Sequence, residues 1–289
     1  MSVDLLQEKI RKLKNPSVID FTISQEMIPA AVLAEHPDFI EAYRAYAKEL
    51  LEGIKGIAPA VRFSFSNFSV LGAEGIALLQ ELLRTATAKG YYVLLDCVQV
   101  LSAQQAELAA KALLGNEDWA FHGLIVSSYI GTDGLKPFVK QIGEQAVFGV
   151  IRTANKSASE LQDLLSGNRL AHGAAADVVN RTGEPLPGKC GYHRVGALAA
   201  ASSADSLRTV RSKYSRLFLL LDGYDYPNAN AKNCSFAFDK FGHGAAACAG
   251  ESVIAAWKEQ EIPREDYLAA AVEAAERMKK NLCRYVTIL

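Results

Sequence analysis

Eight short runs of β-branched and other apolar residues recur along the chain, at 18–23, 57–65, 91–96, 121–127, 146–152, 192–197, 217–221 and 245–248. Nearly every run precedes a longer stretch with helical spacing: 38–53, 73–89, 103–114, 134–142, 158–180, 205–213, a weaker one at 229–241, and 252–259. A strand of a buried parallel sheet is apolar on both faces, whereas an amphipathic helix repeats about every 3.6 residues, so this alternation describes βα units around a parallel sheet. Eight such units predict an α/β protein of the TIM-type (β/α)8 barrel class, one domain over 1–289. A doubly wound open sheet is the alternative, and the GxGxxG phosphate fingerprint it would favour is absent after the first run. A last helical stretch, 264–283, follows Ile262-Pro263 and places Leu268, Val272 and Met278 on one face and Lys279 and Lys280 on the other. That pattern suits a helix packed on the outside of the barrel.

Composition narrows the function. Hydrophobic residues make up 50% of the chain, enough for a large core. With 31 basic and 32 acidic residues spread evenly, the net charge of -1 offers no footprint for nucleic acid or an anionic membrane, so neither is expected as a partner. The amino-terminal stretch mixes charged and apolar residues and has no uninterrupted apolar core of the kind export signals carry, and no apolar run approaches the ~18 residues of a membrane span. A soluble, cytoplasmic protein is the expectation. Cys97, Cys190, Cys234, Cys248 and Cys283 form no CxxC pair, and His122, His172, His193 and His243 show no metal-ligand spacing. Neither a cofactor nor a metal is expected. Cys97 should point toward the helix layer, and Ser64, Ser66 and Ser69 lack the GxSxG elbow of a serine hydrolase.

Two connections are long and irregular, the Pro- and Gly-rich 182–191 and the stretch 223–233. In barrels, loops that leave strand carboxyl ends form the functional face, and both are taken as candidates for it.

Several segments resemble the orotidine 5′-phosphate decarboxylase family, in its longer bacterial branch. VSSYIGTDGLKPFV at 126–139 is similar to the family's strand-four exit at Tyr129, Gly131, Asp133, Pro137 and Phe138. IRTANKSASELQ at 151–162 matches its segment after strand five at Thr153, Asn155 and Gln162. Val195-Gly196-Ala197 looks like the start of its Val-Gly-Ala-Thr, and 64–75 has the spacing of the segment after strand two. The matches run in the family's order over almost the whole chain. The resemblance implies a barrel, a nucleotide monophosphate substrate, and removal of its C6 carboxylate by an alternating Lys-Asp-Lys-Asp array. In that array the second lysine protonates the carbanion.

The positions that would carry this chemistry are largely altered. The Asp-x-Lys-x-x-Asp of strand three reads Asp96-Cys97-Val98-Gln99-Val100-Leu101, which keeps the first carboxylate and replaces proton donor and last carboxylate by Val98 and Leu101. The strand-two lysine corresponds to Arg62, a group that stays protonated. The ribose-binding aspartate falls on Thr22 if Ile28-Pro29 is aligned with the family's Ile-Pro, with Asp20 two residues earlier on the same strand face. The base-binding serine is Ala154, the loop after strand seven begins Asp222-Gly223-Tyr224, and the phosphate-binding arginine after strand eight is Glu251. No catalytic set is therefore intact. Asp20, Thr22, Arg62, Asp96, Thr153, Ala154, Asn155, Gln162, Asp222, Tyr224 and Glu251 remain as ligand-binding candidates, with a small molecule at the barrel mouth as the ligand to expect.

The leading expectation is a family member that no longer decarboxylates. An authentic decarboxylase of pyrimidine biosynthesis with a displaced site, and a sugar or metabolite enzyme on the same fold, are the alternatives. The resemblance also implies a homodimer, because family members place the last strand-three carboxylate in the neighbour's site. Leu101 at that position suits an apolar contact.

Overall fold

The computed structural model describes residues 2–97, 100–258 and 266–289. Its amino-terminal helix α1 (Ser2–Leu13) buries Val3, Leu6 and Ile10 at the spacing of one helical face. It lies across the base of the molecule, where the Ser2 hydroxyl meets the Tyr92 hydroxyl at 2.6 Å and the Gln7 side chain accepts from the Gly244 N–H at 3.0 Å.

Strand β1 (Ser17–Asp20) is followed by α2 (Ala30–Glu35) and α3 (Phe39–Gly53), then β2 (Ala60–Ser64), α4 (Phe65–Ser69) and α5 (Gly72–Ala88). Next come β3 (Tyr92–Asp96), α6 (Ala103–Leu114), β4 (Gly123–Ser127), α7 (Thr132–Gln141) and β5 (Ala146–Val150). After a small antiparallel hairpin, β6 (Leu165–Ser166) and β7 (Arg169–Leu170), the chain forms α8 (Ala171–Gly183), β8 (Val195–Ala200), α9 (Ala204–Lys213) and β9 (Leu219–Asp222). The short α10 (Ala231–Ser235), β10 (Ala245–Ala249), α11 (Glu251–Ile254) and the long α12 (Tyr267–Cys283) complete it.

Strands β1, β2, β3, β4, β5, β8, β9 and β10 pair in that order, every pair parallel, and β10 pairs back onto β1. All eight expected strands are present. They are almost wholly buried, as strands covered inside and out must be. Closure also demands room inside. A side chain at Gly196 would stand 2.6 Å from the Phe148 ring and 2.6 Å from the Phe218 carbonyl oxygen, so the position has space for hydrogen alone.

Helix starts follow ordinary capping chemistry: Asp38 accepts the Glu41 N–H at 2.9 Å before α3, and Ser102 accepts the Gln105 N–H at 3.2 Å before α6. Gly131, in the segment similar to the family's strand-four exit, turns the chain into α7 at a φ of 75°, where a side chain would be strained.

Four expectations need correction. The span 158–180 is not one helix: a 3-10 turn (Lys156–Glu160) and the β6–β7 hairpin precede α8, because the Gly167 tip at φ 67° reverses the chain. The weak helix at 229–241 shrinks to α10, and the one at 252–259 divides into α11 and a 3-10 turn (Ala256–Lys258), with residue 259 outside the described range. Connection 182–191 does not reach the functional face. It enters β8 from below and packs on α1, where Asp4 accepts the Cys190 N–H at 2.7 Å. Residues 264–265, the expected start of the last helix, are likewise outside the described range, and α12 runs from Tyr267.

Candidate functional site

The barrel register brings four charged side chains to the carboxyl ends of the strands. Asp20 is paired with Arg62 across β1 and β2, Asp96 stands opposite Ser64 at the end of β3, and Asp222 ends β9. From β2 the guanidinium of Arg62 reaches across the mouth. Its Nη2 lies 2.7 Å from Asp96 Oδ2, its Nη1 lies 2.5 Å from Asp222 Oδ1, and its Nε lies 3.5 Å from Asp20 Oδ2. Arg62 thus ties three strands together as a strut, and its side chain is only 11% exposed.

Three carboxylates around one guanidinium leave the cluster with excess negative charge when all are ionised. Burial pushes the Asp20 and Asp96 carboxyls up, and the pull of Arg62 offsets only part of this because the neighbouring carboxylates repel. Burial works against the charge of Arg62 too, but Asp20, Asp222 and Asp96 outweigh it and hold the guanidinium firmly protonated. Among the described residues, one oxygen of Asp96, Oδ1, is buried without a hydrogen-bond partner. The cluster therefore has an affinity for protons and little attraction for an anion.

Thr22 is joined to Asp20, which faces Arg62. The Thr22 hydroxyl and backbone N–H donate to Asp20 Oδ1 at 2.7 and 3.1 Å, which turns the other oxygen toward Arg62. The strand-five loop is closed on itself: Gln162 accepts the Thr153 N–H at 2.8 Å, and the Thr153 hydroxyl donates to Asn155 at 2.5 Å. Ala154 lies against Gly223, so the loops after β5 and β9 touch above β8. Tyr224 donates its backbone N–H to the Cys248 carbonyl at 3.1 Å, and burial pushes its phenol up to about 12, so it packs inward.

Glu251 does not join the cluster. It opens α11, exposed, 3.4 Å from Lys258. Val98 lies outside the described residues. Leu101 is 78% exposed at the mouth's rim.

A contact the sequence did not single out stands beside Glu251. Asp225, in the loop after β9, accepts the Gly250 N–H at 2.6 Å and the Ser252 hydroxyl. The region between the last two βα loops and a short helix is where barrels commonly hold a phosphate, and here a carboxylate of the same chain occupies those donors. Nothing in the local sequence marks Asp225 for this, since the loop's path decides it.

A closed parallel barrel with its charged cluster at the strand carboxyl ends is the architecture of the (β/α)8 enzymes. The chain is 28% identical over 240 residues to orotidine 5′-phosphate decarboxylase of Rhodopirellula baltica, covering 81% of this chain and 78% of that one. It is 23% identical over 286 residues to orotidine 5′-phosphate decarboxylase of Petrotoga mobilis, covering 98% of each. The structure of Leishmania donovani OMP decarboxylase shares the fold, with a TM-score of 0.72 at 24% identity over 97% of this chain and 99% of that one. No family model matches the chain. In sequence and in fold the chain is similar to orotidine 5′-phosphate decarboxylases.

Proposed function

We propose that this barrel is a non-catalytic or repurposed member of its family that neither binds a nucleotide monophosphate nor decarboxylates one. The observation that carries this reading is the engagement of Arg62: its two terminal nitrogens are taken by Asp96 and Asp222, and its third faces Asp20. A substrate bearing both a carboxylate and a phosphate meets an excess of carboxylates there. Asp225 adds to this by occupying the Gly250 and Ser252 donors. In sequence the proton donor is replaced by the hydrocarbon Val98, and Arg62 cannot act as an acid near neutral pH. A small, neutral or cationic polar molecule is the ligand class the mouth suits.

The test is twofold. Calorimetric titration with uridine monophosphate should give no micromolar binding, and purified protein should release no carbon dioxide from orotidine monophosphate above background. Turnover by the wild type that disappears in Asp96→Asn would overturn the reading in favour of an authentic decarboxylase. Introducing lysine by Val98→Lys alone should not restore turnover, because Leu101 remains and Arg62 stays engaged by Asp96 and Asp222.

A homodimer accompanies this reading. Val70 and Leu101, 80% and 78% exposed after β2 and β3, and Tyr129 after β4, place apolar surface on adjacent loops of one rim, which supports it.

A further inference from the structure

On the flank of the barrel, away from the Arg62 cluster, the β6–β7 hairpin, the start of α8 and α9 enclose a cavity of about 470 Å³. Asp163, His172, Ser203, Ser206, Leu170, Val210 and Tyr214 are in its wall. His172 is 5% exposed. Its Nδ1 lies 3.0 Å from the Gln162 carbonyl oxygen and 3.1 Å from Asp163 Oδ1, and its Nε2 lies 3.1 Å from Ser206 Oγ.

The partners decide the proton positions. A carbonyl and a carboxylate only accept, so Nδ1 carries the ring's proton, and the neutral ring's Nε2 accepts the hydroxyl proton of Ser206. That is the polarity of a nucleophile, its base, and a carboxylate that orients the base. Asp163 is itself fixed: Arg152, just beyond β5, grips both its oxygens at 2.9 and 2.8 Å. The Arg152 guanidinium holds the Asp163 carboxyl below the usual carboxylate range.

Ser206 is the third residue of α9. The first N–H groups of a helix have no carbonyl one turn earlier, and they sit at the positive end of its dipole. Negative charge developing beside Ser206 is stabilised there.

We propose that Asp163, His172 and Ser206 form an acyl-transfer site that hydrolyses small carboxylic esters, with the apolar part of the ester held against Leu170, Val210 and Tyr214. Ser206 Oγ bonds to the ester carbonyl carbon while its proton passes to His172 Nε2. The carbon–alcohol oxygen bond then breaks, and the departing oxygen takes that proton. Water, deprotonated by His172, adds to the acyl carbon, and the carboxylic acid leaves as the proton returns to Ser206. Asp163 acts as a positioning residue throughout.

The sequence did not indicate this site, because 163, 172 and 206 share no motif and the serine lies on a helix rather than on a strand-to-helix elbow. Folding alone assembles it.

The full-length protein is treated with a fluorophosphonate probe and mapped by mass spectrometry, and p-nitrophenyl acetate hydrolysis is followed in parallel. Label on Ser206 is expected, together with a nitrophenol burst that disappears in Ser206→Ala. Hydrolysis should fall on the order of 100-fold in His172→Gln, the loss typical of a removed general base. Should His172→Gln fail to fold, labelling of the wild type and Ser206→Ala, a substitution that suits a helix, decide the matter. Folded wild-type protein without label on Ser206, or equal hydrolysis by wild type and Ser206→Ala, overturns the proposal.

Discussion

Asp225 accepts the backbone N–H of Gly250 at 2.6 Å, joining the loop after β9 to the turn that starts α11. The Ser252 hydroxyl donates to the other carboxylate oxygen, so one exposed side chain satisfies two donors at the last βα turn.

Asp225→Ala should therefore leave these donors to water and lower stability by about 0.5–1.5 kcal/mol, the net worth of an ordinary hydrogen bond at an exposed position. Chemical denaturation of the two proteins measures this. An unchanged midpoint would show that the tie contributes nothing to the fold.

Arg62→Met should be far more damaging, by about 3–5 kcal/mol at neutral pH, because it leaves buried carboxylates without their cation. The defect should shrink on acidification as those carboxyls take up protons.

The wild-type cluster predicts a pH trend of definite sign. Asp20 and Asp96 titrate above their unfolded values, so their contribution is fully present below the ordinary carboxylate range and is lost as pH rises through the raised values. Replacing Asp96 with neutral Asn removes one such group. Relative to wild type, Asp96→Asn should gain stability as pH rises from the ordinary carboxylate range, about 4, through the raised value, and urea titrations at increasing pH test it. A difference independent of pH would mean that Asp96 is not held above its unfolded value.

Oligomeric state is checked by light scattering at micromolar concentration, where the expected mass is twice that of the chain. Leu101→Glu should shift the protein toward monomer, since it puts a charge on the apolar rim. Monomer alone in the wild type would remove the dimer from the reading.

Within the barrel, Gly196→Ala forces a methyl into space held by Phe148 and the Phe218 carbonyl. Overpacking of this kind typically costs about 1–3 kcal/mol, and a thermal melt should show it. Wild-type stability in this variant would mean that Phe148 moves freely.

The eight strands were legible in the sequence because strands buried on both faces are mostly apolar, as Leu219–Asp222 and Tyr92–Asp96 are up to their terminal aspartates, and their order followed from the alternation with helices. The helix α6 was legible to the residue, its Ser102 cap and apolar spacing both local signals. Span 158–180 misled for the same local reason: its apolar positions fit a helix, but the glycine at 167 takes a left-handed turn and folds a hairpin there.

For the mouth, sequence supplied the identities of Asp20, Arg62, Asp96 and Asp222 and their places near strand ends. It left open whether Asp20 or Thr22 is the counterpart of the ribose-binding aspartate; in the tertiary structure the Thr22 hydroxyl holds Asp20 beside Arg62. That Arg62 reaches three strands and that Ser206 meets His172 were decided only by the tertiary fold, whereas Glu251 turns to Lys258 within the short helical turns that follow β10. Strand pattern depends on residues a few positions apart, so a chain displays it directly. The 2.5 Å hydrogen bond from Arg62 to Asp222, 160 residues apart, depends on shear, strand tilt and the path of every intervening loop, and no local stretch of sequence records those.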